Sequence, residues 1–447
     1  MTTPAFPFDP EATEAILHWT KDRIATGPDP KHGAQDKSVL DSSMGGSISD
    51  KGLGAEAAFA LFTDTIVPST RPFGHPTSLA FVAAAPSRAA LSFDAALGAA
   101  GIFAGNWDGG AGAIHAENQA LAWISGLAGW DAQAGGVFVA GGTLGNLSAL
   151  HAARAWRASH VARPARWAVL CSAEAHSSIK AAARVMDVDV IEAPTDARGV
   201  MTASAARAAL TDPARVFAIV ANAGATNCGA VDDIAGLADL AQDHGLWLHL
   251  DGAYGLAALA DPTARRLFNG IERAHSLIVD PHKWLFAPYD SCALIYRDAR
   301  HGAAAHGQRA VYLETVDAEA WNPSDYALHL TRRARGLPLW FSLAAHGTDA
   351  YAQAIARTRT IATQIARGIE AMPGLDLILG PQLTVILFRA AGLSEARMID
   401  WAEAHRRSGA LLCLPTRWRG EMVFRLCIVN PETKADEVLE VLRSLTV

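Results

Sequence analysis

Leu277-Ile278-Val279-Asp280-Pro281-His282-Lys283-Trp284 sets an apolar run directly before a cluster of polar, reactive side chains. A second apolar run, residues 291–296, follows closely. A lysine between two such runs sits at the edge of a sheet, where a desolvated amine can become a nucleophile. Taken alone, Lys283 reads as a surface lysine beside a buried tryptophan. Its meaning depends on what the rest of the chain brings to the same edge.

Working outward, short apolar runs alternate with alanine-rich helical stretches from residue 68 to about 335. The spacing predicts strands over 136–140, 167–172, 188–192, 216–221, 246–250, 277–279 and 292–297. Helical segments are predicted between them over 147–158, 178–186, 203–210 and 234–244. Near-continuous apolar strands alternating with helices imply an α/β fold, a mostly parallel seven-stranded sheet covered on both faces. Ligands in such sheets bind at the carboxyl ends of the strands. After Leu337-Pro338 the pattern changes. A long helix over 339–372, broken near Gly347, precedes strands at 383–389, 411–415 and 422–428 and helices at 394–408 and 433–445. This reads as a small C-terminal α+β domain. At the other end, Asp9, Pro10 and Glu11 suit a helix start running to about residue 24. A polar, glycine-rich stretch over 27–54 and a second helix over 55–66 follow. Such a pair buries little alone and needs another domain or subunit. The expected organisation is an N-terminal helical segment over 1–67, a large domain over 68–335 and a small domain over 336–447.

The 447 residues are half hydrophobic and 19% charged, with a formal net charge of −7. That composition supports a large core and argues against broad electrostatic attraction to nucleic acid. The five cysteines have neither CxxC nor zinc-like spacing, so no metal site is expected, and their odd number fits a reducing cytosol. Residues 1–10 carry no basic segment followed by an apolar core, and no apolar stretch approaches a membrane span. These features predict a cytoplasmic protein with neither membrane nor nucleic-acid partners.

Four other stretches end strands in the same manner as the one around Lys283. Gly141-Gly142-Thr143-Leu144-Gly145-Asn146 opens a helix, where free N–H groups and the Thr143 hydroxyl can bind phosphate; it also reads as a capped tight turn. His176, in Ala175-His176-Ser177-Ser178, can stack on a flat ring or simply start a helix. Thr226, in the turn after 216–221, can hydrogen-bond a ring substituent or serve the turn alone. In Leu248-His249-Leu250-Asp251-Gly252-Ala253, Asp251 can keep a pyridine nitrogen protonated, and Ala253 is small enough to lie beneath the ring; Asp251 can also cap the next turn. Weak singly, these signals converge on one sheet edge. They predict that Lys283 holds pyridoxal 5′-phosphate as a Schiff base.

With Gly-Gly-Thr at 141–143, Ala-His-Ser-Ser at 175–178, Thr226-Asn227, Leu-His-Leu-Asp at 248–251 and Pro-His-Lys-Trp at 281–284, the chain resembles the group II pyridoxal-phosphate-dependent amino acid decarboxylases, the class of aromatic-amino-acid, histidine and glutamate decarboxylases. The resemblance implies the aspartate-aminotransferase-type fold and an obligate homodimer with N-terminal helices exchanged and the active site at the subunit interface. It implies Lys283 as the covalent anchor, Asp251 at the pyridine nitrogen, His176 stacked on the ring, Ala253 against it, and Gly142, Thr143 and His282 near the phosphate or the Schiff base. Tyr312, 29 residues after the lysine, matches a loop tyrosine that protonates the intermediate in a partner's site. Arg425 matches an arginine near the substrate carboxylate, and His75 is a second candidate substrate contact. The implied reaction is decarboxylation of an L-amino acid to its amine and CO₂. A carbon–carbon (aldehyde) lyase or an aldehyde-forming oxidative decarboxylase is the alternative. The sequence departs from the family pattern in three places. Ile114-His115-Ala116-Glu117 keeps only the last glutamate of Thr-Glu-x-Glu, glycine replaces alanine at 252, and residues 77–86 carry few aromatic rings.

Overall fold

The computed structural model describes residues 6–307 and 321–446. Its centre is a seven-stranded sheet made of β1 (Gly135–Val139), β2 (Ala168–Ser172), β3 (Asp189–Ala193), β4 (Val216–Asn222), β5 (Trp247–Asp251), β6 (Ser276–Val279) and β7 (Cys292–Tyr296). Their order is β1-β7-β6-β5-β4-β2-β3. Each strand lies within a residue of its predicted bounds. Only β7 runs against the others, paired antiparallel with β1 on one side and β6 on the other. Every other pairing is parallel. The six strands other than β7 therefore point their carboxyl ends to one edge, and β7 begins there, with Cys292 opposite Val139.

The strands are apolar on both faces because both faces are covered. Side chains alternate with period two. Leu170, Ile219, Leu248, Leu250, Leu277 and Ile295 enter one core, while Val139, Val169, Phe217, Val220, Trp247, Ile278 and Leu294 enter the other. The helix Gly142–Ala158 lies unusually close to the sheet. A Cβ on Gly145 would stand 2.9 Å from Ile278 Cγ2 and 3.0 Å from Cys292 Sγ.

The predicted helix over 339–372 is two helices, Leu337–His346 and Thr348–Glu370, divided at Gly347, whose φ of 77° is open to glycine. The second helix spans two cores. Tyr351 and Ile355 pack with the large sheet, and Ile361, Ile365 and Ile369 pack beneath a four-stranded antiparallel sheet. That sheet has β8 (Leu375–Leu379), β9 (Val385–Ala390), β10 (Leu414–Trp418) and β11 (Glu421–Cys427) in the order β10-β11-β9-β8. Strand β8 was not expected from the sequence. Leu79 joins this small core, and its N–H donates to the Leu412 carbonyl at 2.9 Å. Residues just after 76 are thus fastened to the C-terminal unit, far from their neighbours in sequence.

At the amino end, Asp9 caps helix Pro10–Thr26 as expected, its side chain accepting from Ala12 N. The glycine-rich stretch read as irregular contains a helix, Lys37–Met44. Helix Ala55–Leu61 continues as a wider π turn over Phe62–Ile66. Trp19, Phe59 and Phe62 hold these helices together through ring contacts. None of the three helices buries a residue, and Ile16, Leu17, Val39 and Ile66 are exposed. No described helix is long and apolar enough to cross a membrane.

Candidate active site

Strand β6 is buried throughout and ends at Val279. Proline at 281 cannot continue a ladder but suits a first helical turn, so the chain folds into the single turn Pro281–Trp284. Trp284 fixes that turn: it is fully buried, stacks on Tyr254 with ring centroids 5.2 Å apart, and donates from Nε1 to Thr358 Oγ1 at 2.9 Å. Lys283 therefore projects from an anchored turn at the sheet edge. Its Nζ lies 3.0 Å from Asp280 Oδ2, and Asp280 is 2% exposed. Burial pulls the lysine's pKa down, but the charge and hydrogen bond of Asp280 outweigh it and the net direction is up. Asp280 Oδ1 is buried and has no partner among the described residues. His282 is tied through Nδ1 to the backbone of Ser291, and burial holds its ring below the usual histidine range.

Across from Lys283, β5 ends at Asp251. One carboxylate oxygen accepts from the Ala253 N–H at 3.2 Å and the other from Asn146 Nδ2 at 2.9 Å. Asn146 is held in turn by His249, whose Nε2 lies 2.9 Å from Asn146 Oδ1. His176 caps the helix Ser177–Val185 with its own ring, Nδ1 accepting from Ser178 N at 3.2 Å.

These groups line one cavity of about 520 Å³ at the carboxyl edge of the large sheet. Gly142, Thr143, His176 and Thr226 form part of its wall, and Asp251, Ala253, His282 and Lys283 complete the set expected to meet a cofactor. The cavity does not include His75 or Arg425. His75 bonds to Thr77 through Nδ1, in a segment whose Gly74 and Pro76 carbonyls accept from Asn430 and Thr433. Arg425 is buried and donates to the carbonyls of Thr226, Asn227 and Phe81. It thereby clamps the turn carrying Thr226 to the small sheet. Tyr312 lies outside the described residues.

Four further residues belong to this arrangement and were not singled out from sequence. Asn222 and Asp280 are on the wall, with Asn222 Nδ2 and Asp280 Oδ1 buried and without a partner among the described residues. Asn146, also on the wall, and His249 behind it support Asp251. Spacing alone carried a signal for the last two. Asn146 is four residues after Gly142, one helical turn along the same face, and His249 is two before Asp251, on the same face of the strand.

The donor set fits pyridoxal phosphate. Helix Gly142–Ala158 starts at Gly141 with no side-chain cap, so its first amides remain for an anion. Gly142 keeps that approach open: a Cβ there would come within 3.3 Å of Ala253 Cβ and 3.2 Å of Asp280 Oδ2. The Lys283 amine, the Asp251 carboxyl group and Asn222 line the same space.

Comparison with known proteins agrees. The pyridoxal-dependent decarboxylase conserved domain matches residues 47–391. An L-2,4-diaminobutyrate decarboxylase of Rhizobium meliloti (strain 1021) is 32% identical over 413 residues, 89% of this chain and 83% of that protein. An aromatic-L-amino-acid decarboxylase of Bacillus atrophaeus is 28% identical over 428 residues, 92% of this chain and 88% of its own. In fold, the crystal structure of Oryza sativa TDC with PLP and tryptamine superposes with a TM-score of 0.89 at 21% identity, covering 99% of this chain and 98% of that one. The chain belongs to the pyridoxal-dependent decarboxylases, lyases that use pyridoxal phosphate to release CO₂ from an amino acid and leave its amine.

Proposed function

We propose that this decarboxylase anchors its cofactor on Lys283, acts as a homodimer in the cytoplasm, and takes an L-amino acid with a polar side chain. The observation that carries the site is the pairing of Lys283 and Asp251 across one cavity. When bound, pyridoxal phosphate supplies the electron sink that accepts the bonding pair left as CO₂ departs. Asp251, which accepts two N–H hydrogen bonds, would face the pyridine nitrogen and keep its proton in place. The amides of Gly142 and Thr143 and the side chain of His282 would hold the phosphate, and Ala253 and His176 would pack against the ring. His176 accepts at Nδ1 and so, when neutral, carries its proton at Nε2. Tyr312 or His176 would return a proton to the substrate carbon.

Two features favour a polar substrate side chain over an aromatic one. The segment 77–86 offers a single ring, Phe81, and the cavity wall includes Asp290, which is ion-paired with Arg335 at 2.9 Å. The uncovered apolar side chains of the N-terminal helices support the dimer.

The test is a panel of amino acids, including aromatic ones and L-2,4-diaminobutyrate, assayed for CO₂, amine and aldehyde with cofactor added. CO₂ and amine in equal amounts from a polar amino acid is the expected result. Aldehyde as the main product, or an aromatic preference, contradicts the corresponding part. Lys283→Ala should abolish both turnover and the visible absorbance of the bound cofactor; absorbance of unchanged intensity contradicts the anchor.

A further inference from the structure

Behind Asp251 runs a chain of buried hydrogen bonds that never reaches solvent. Trp247 Nε1 donates to Ser276 Oγ at 2.8 Å. Ser276 Oγ lies 2.8 Å from His249 Nδ1, and His249 Nε2 lies 2.9 Å from Asn146 Oδ1. Asn146 Nδ2 then donates twice, to Asp251 Oδ2 at 2.9 Å and to Ser178 Oγ at 2.8 Å. Trp247, Ser276 and His249 are fully buried, and Asn146 is 1% exposed.

The chemistry of its ends gives this chain a direction. An indole N–H can only donate, and an ionised carboxylate can only accept. Asp251 therefore requires the NH₂ side of Asn146, which turns the Asn146 carbonyl toward His249. That carbonyl needs a donor, so His249 carries its proton on Nε2. His249 Nδ1 must then accept, and Ser276, already receiving the indole N–H, supplies its hydroxyl proton. Every group in the series is satisfied in this arrangement. Reversing Asn146 aims a carbonyl oxygen at the Asp251 carboxylate and strips it of one of its two donors. Burial also pushes the His249 pKa down to about 4, against the opposing charge of Asp251, so its ring is neutral near pH 7.

We propose that His249 is a positioning residue for the decarboxylation: acting through Asn146, it holds an N–H on Asp251 and another on Ser178, the residue whose backbone N–H fixes His176. This rests on the roles given to Asp251 and His176 above. The consequence is specific. Without the Asn146 N–H, Asp251 would keep one of its two donors and be free to turn from the pyridine nitrogen, which would weaken the electron sink without touching the substrate.

The direct test is ¹⁵N NMR of histidine-labelled cofactor-free protein, with the His249 signals identified by their loss in His249→Gln. The expected result is a neutral ring protonated on Nε2. A ring protonated on Nδ1 overturns the proposal. Kinetics with the best amino acid from the panel provide a second readout. His249→Met removes the donor to Asn146 and should lower kcat roughly tenfold with KM nearly unchanged, the scale of one hydrogen bond to a charged group. His249→Gln keeps an amide N–H near the Nε2 position and should recover most of that loss. Equal kcat in the Met variant and the parent, or no recovery with Gln, overturns it. If the Met variant does not fold, the tautomer of the parent protein decides. The tautomer is read without cofactor, so a failure of the decarboxylase assignment and a failure of this network give different results.

Discussion

Lys283 and Asp280 form an ion pair at 3.0 Å beneath a cavity that also holds Asp251. Asp280 is one of the strongest local influences on the anchoring amine. Burial lowers the lysine's pKa and Asp280 raises it, with the rise prevailing. Removing the carboxylate leaves desolvation less opposed, so Lys283 loses its proton at lower pH. In Asp280→Asn, the rate at which cofactor-free protein takes up pyridoxal phosphate should rise at neutral pH, and the rate–pH curve should move to lower pH. An unmoved curve would mean that Asp280 does not govern the amine. Much of the site was legible at this scale. Lysine, aspartate and paired glycines have few reasons to recur at successive strand ends, and each carries its chemistry in its own side chain. Asp280 was less legible, because its significance lies in an ion pair with Lys283 that only the folded turn reveals. Arg425 shows the reverse: its motif suggested a substrate contact, but three of its nitrogens are engaged with backbone carbonyls of two other segments.

Among the elements, the helix Gly142–Ala158 does most to shape the site. It presents its uncapped start to the cavity and, one turn later, Asn146 to Asp251. Its closeness to the sheet depends on Gly145, where a methyl group would meet Ile278 and Cys292 at 2.9–3.0 Å. Gly145→Ala should lift the helix from β6 and β7 and lower stability by about 1–3 kcal/mol, read as a lower denaturant midpoint at unchanged slope. It should also weaken cofactor binding, because Asn146 moves with the helix. An unchanged midpoint would mean the helix adjusts freely. The strands were readable because burial on both faces forces continuous apolar runs. Other elements were hidden by composition. Helix Trp107–Leu127 begins with Gly109-Gly110-Ala111-Gly112, and Gly110 departs from helical angles. Helix Lys37–Met44 lies in a polar, glycine-rich stretch. Both form against local propensity, the former because its later residues, among them Ile114, Leu121 and Ile124, are buried in the protein interior.

For the whole molecule, the N-terminal helices are the part least explained by one chain. They bury no residue of their own, and Phe6, Phe8 and Leu17 are 94%, 77% and 62% exposed. A second copy of the chain would cover such a surface. Sedimentation equilibrium at micromolar concentration should give the mass of two chains. Ile16→Glu combined with Leu17→Glu should shift it toward one, with loss of turnover if the site is completed across the interface. A single-chain mass for the parent protein would contradict the dimer. The account as a whole stands on the covalent anchor, since the cavity, Asp251 and the network behind it have their meaning relative to that amine. Reduction of the cofactor-loaded enzyme with borohydride, followed by peptide mass mapping, tests it most directly. The account predicts one pyridoxyl phosphate addition per chain, on Lys283. An addition on another lysine, or none in protein that retains its visible absorbance before reduction, would contradict it.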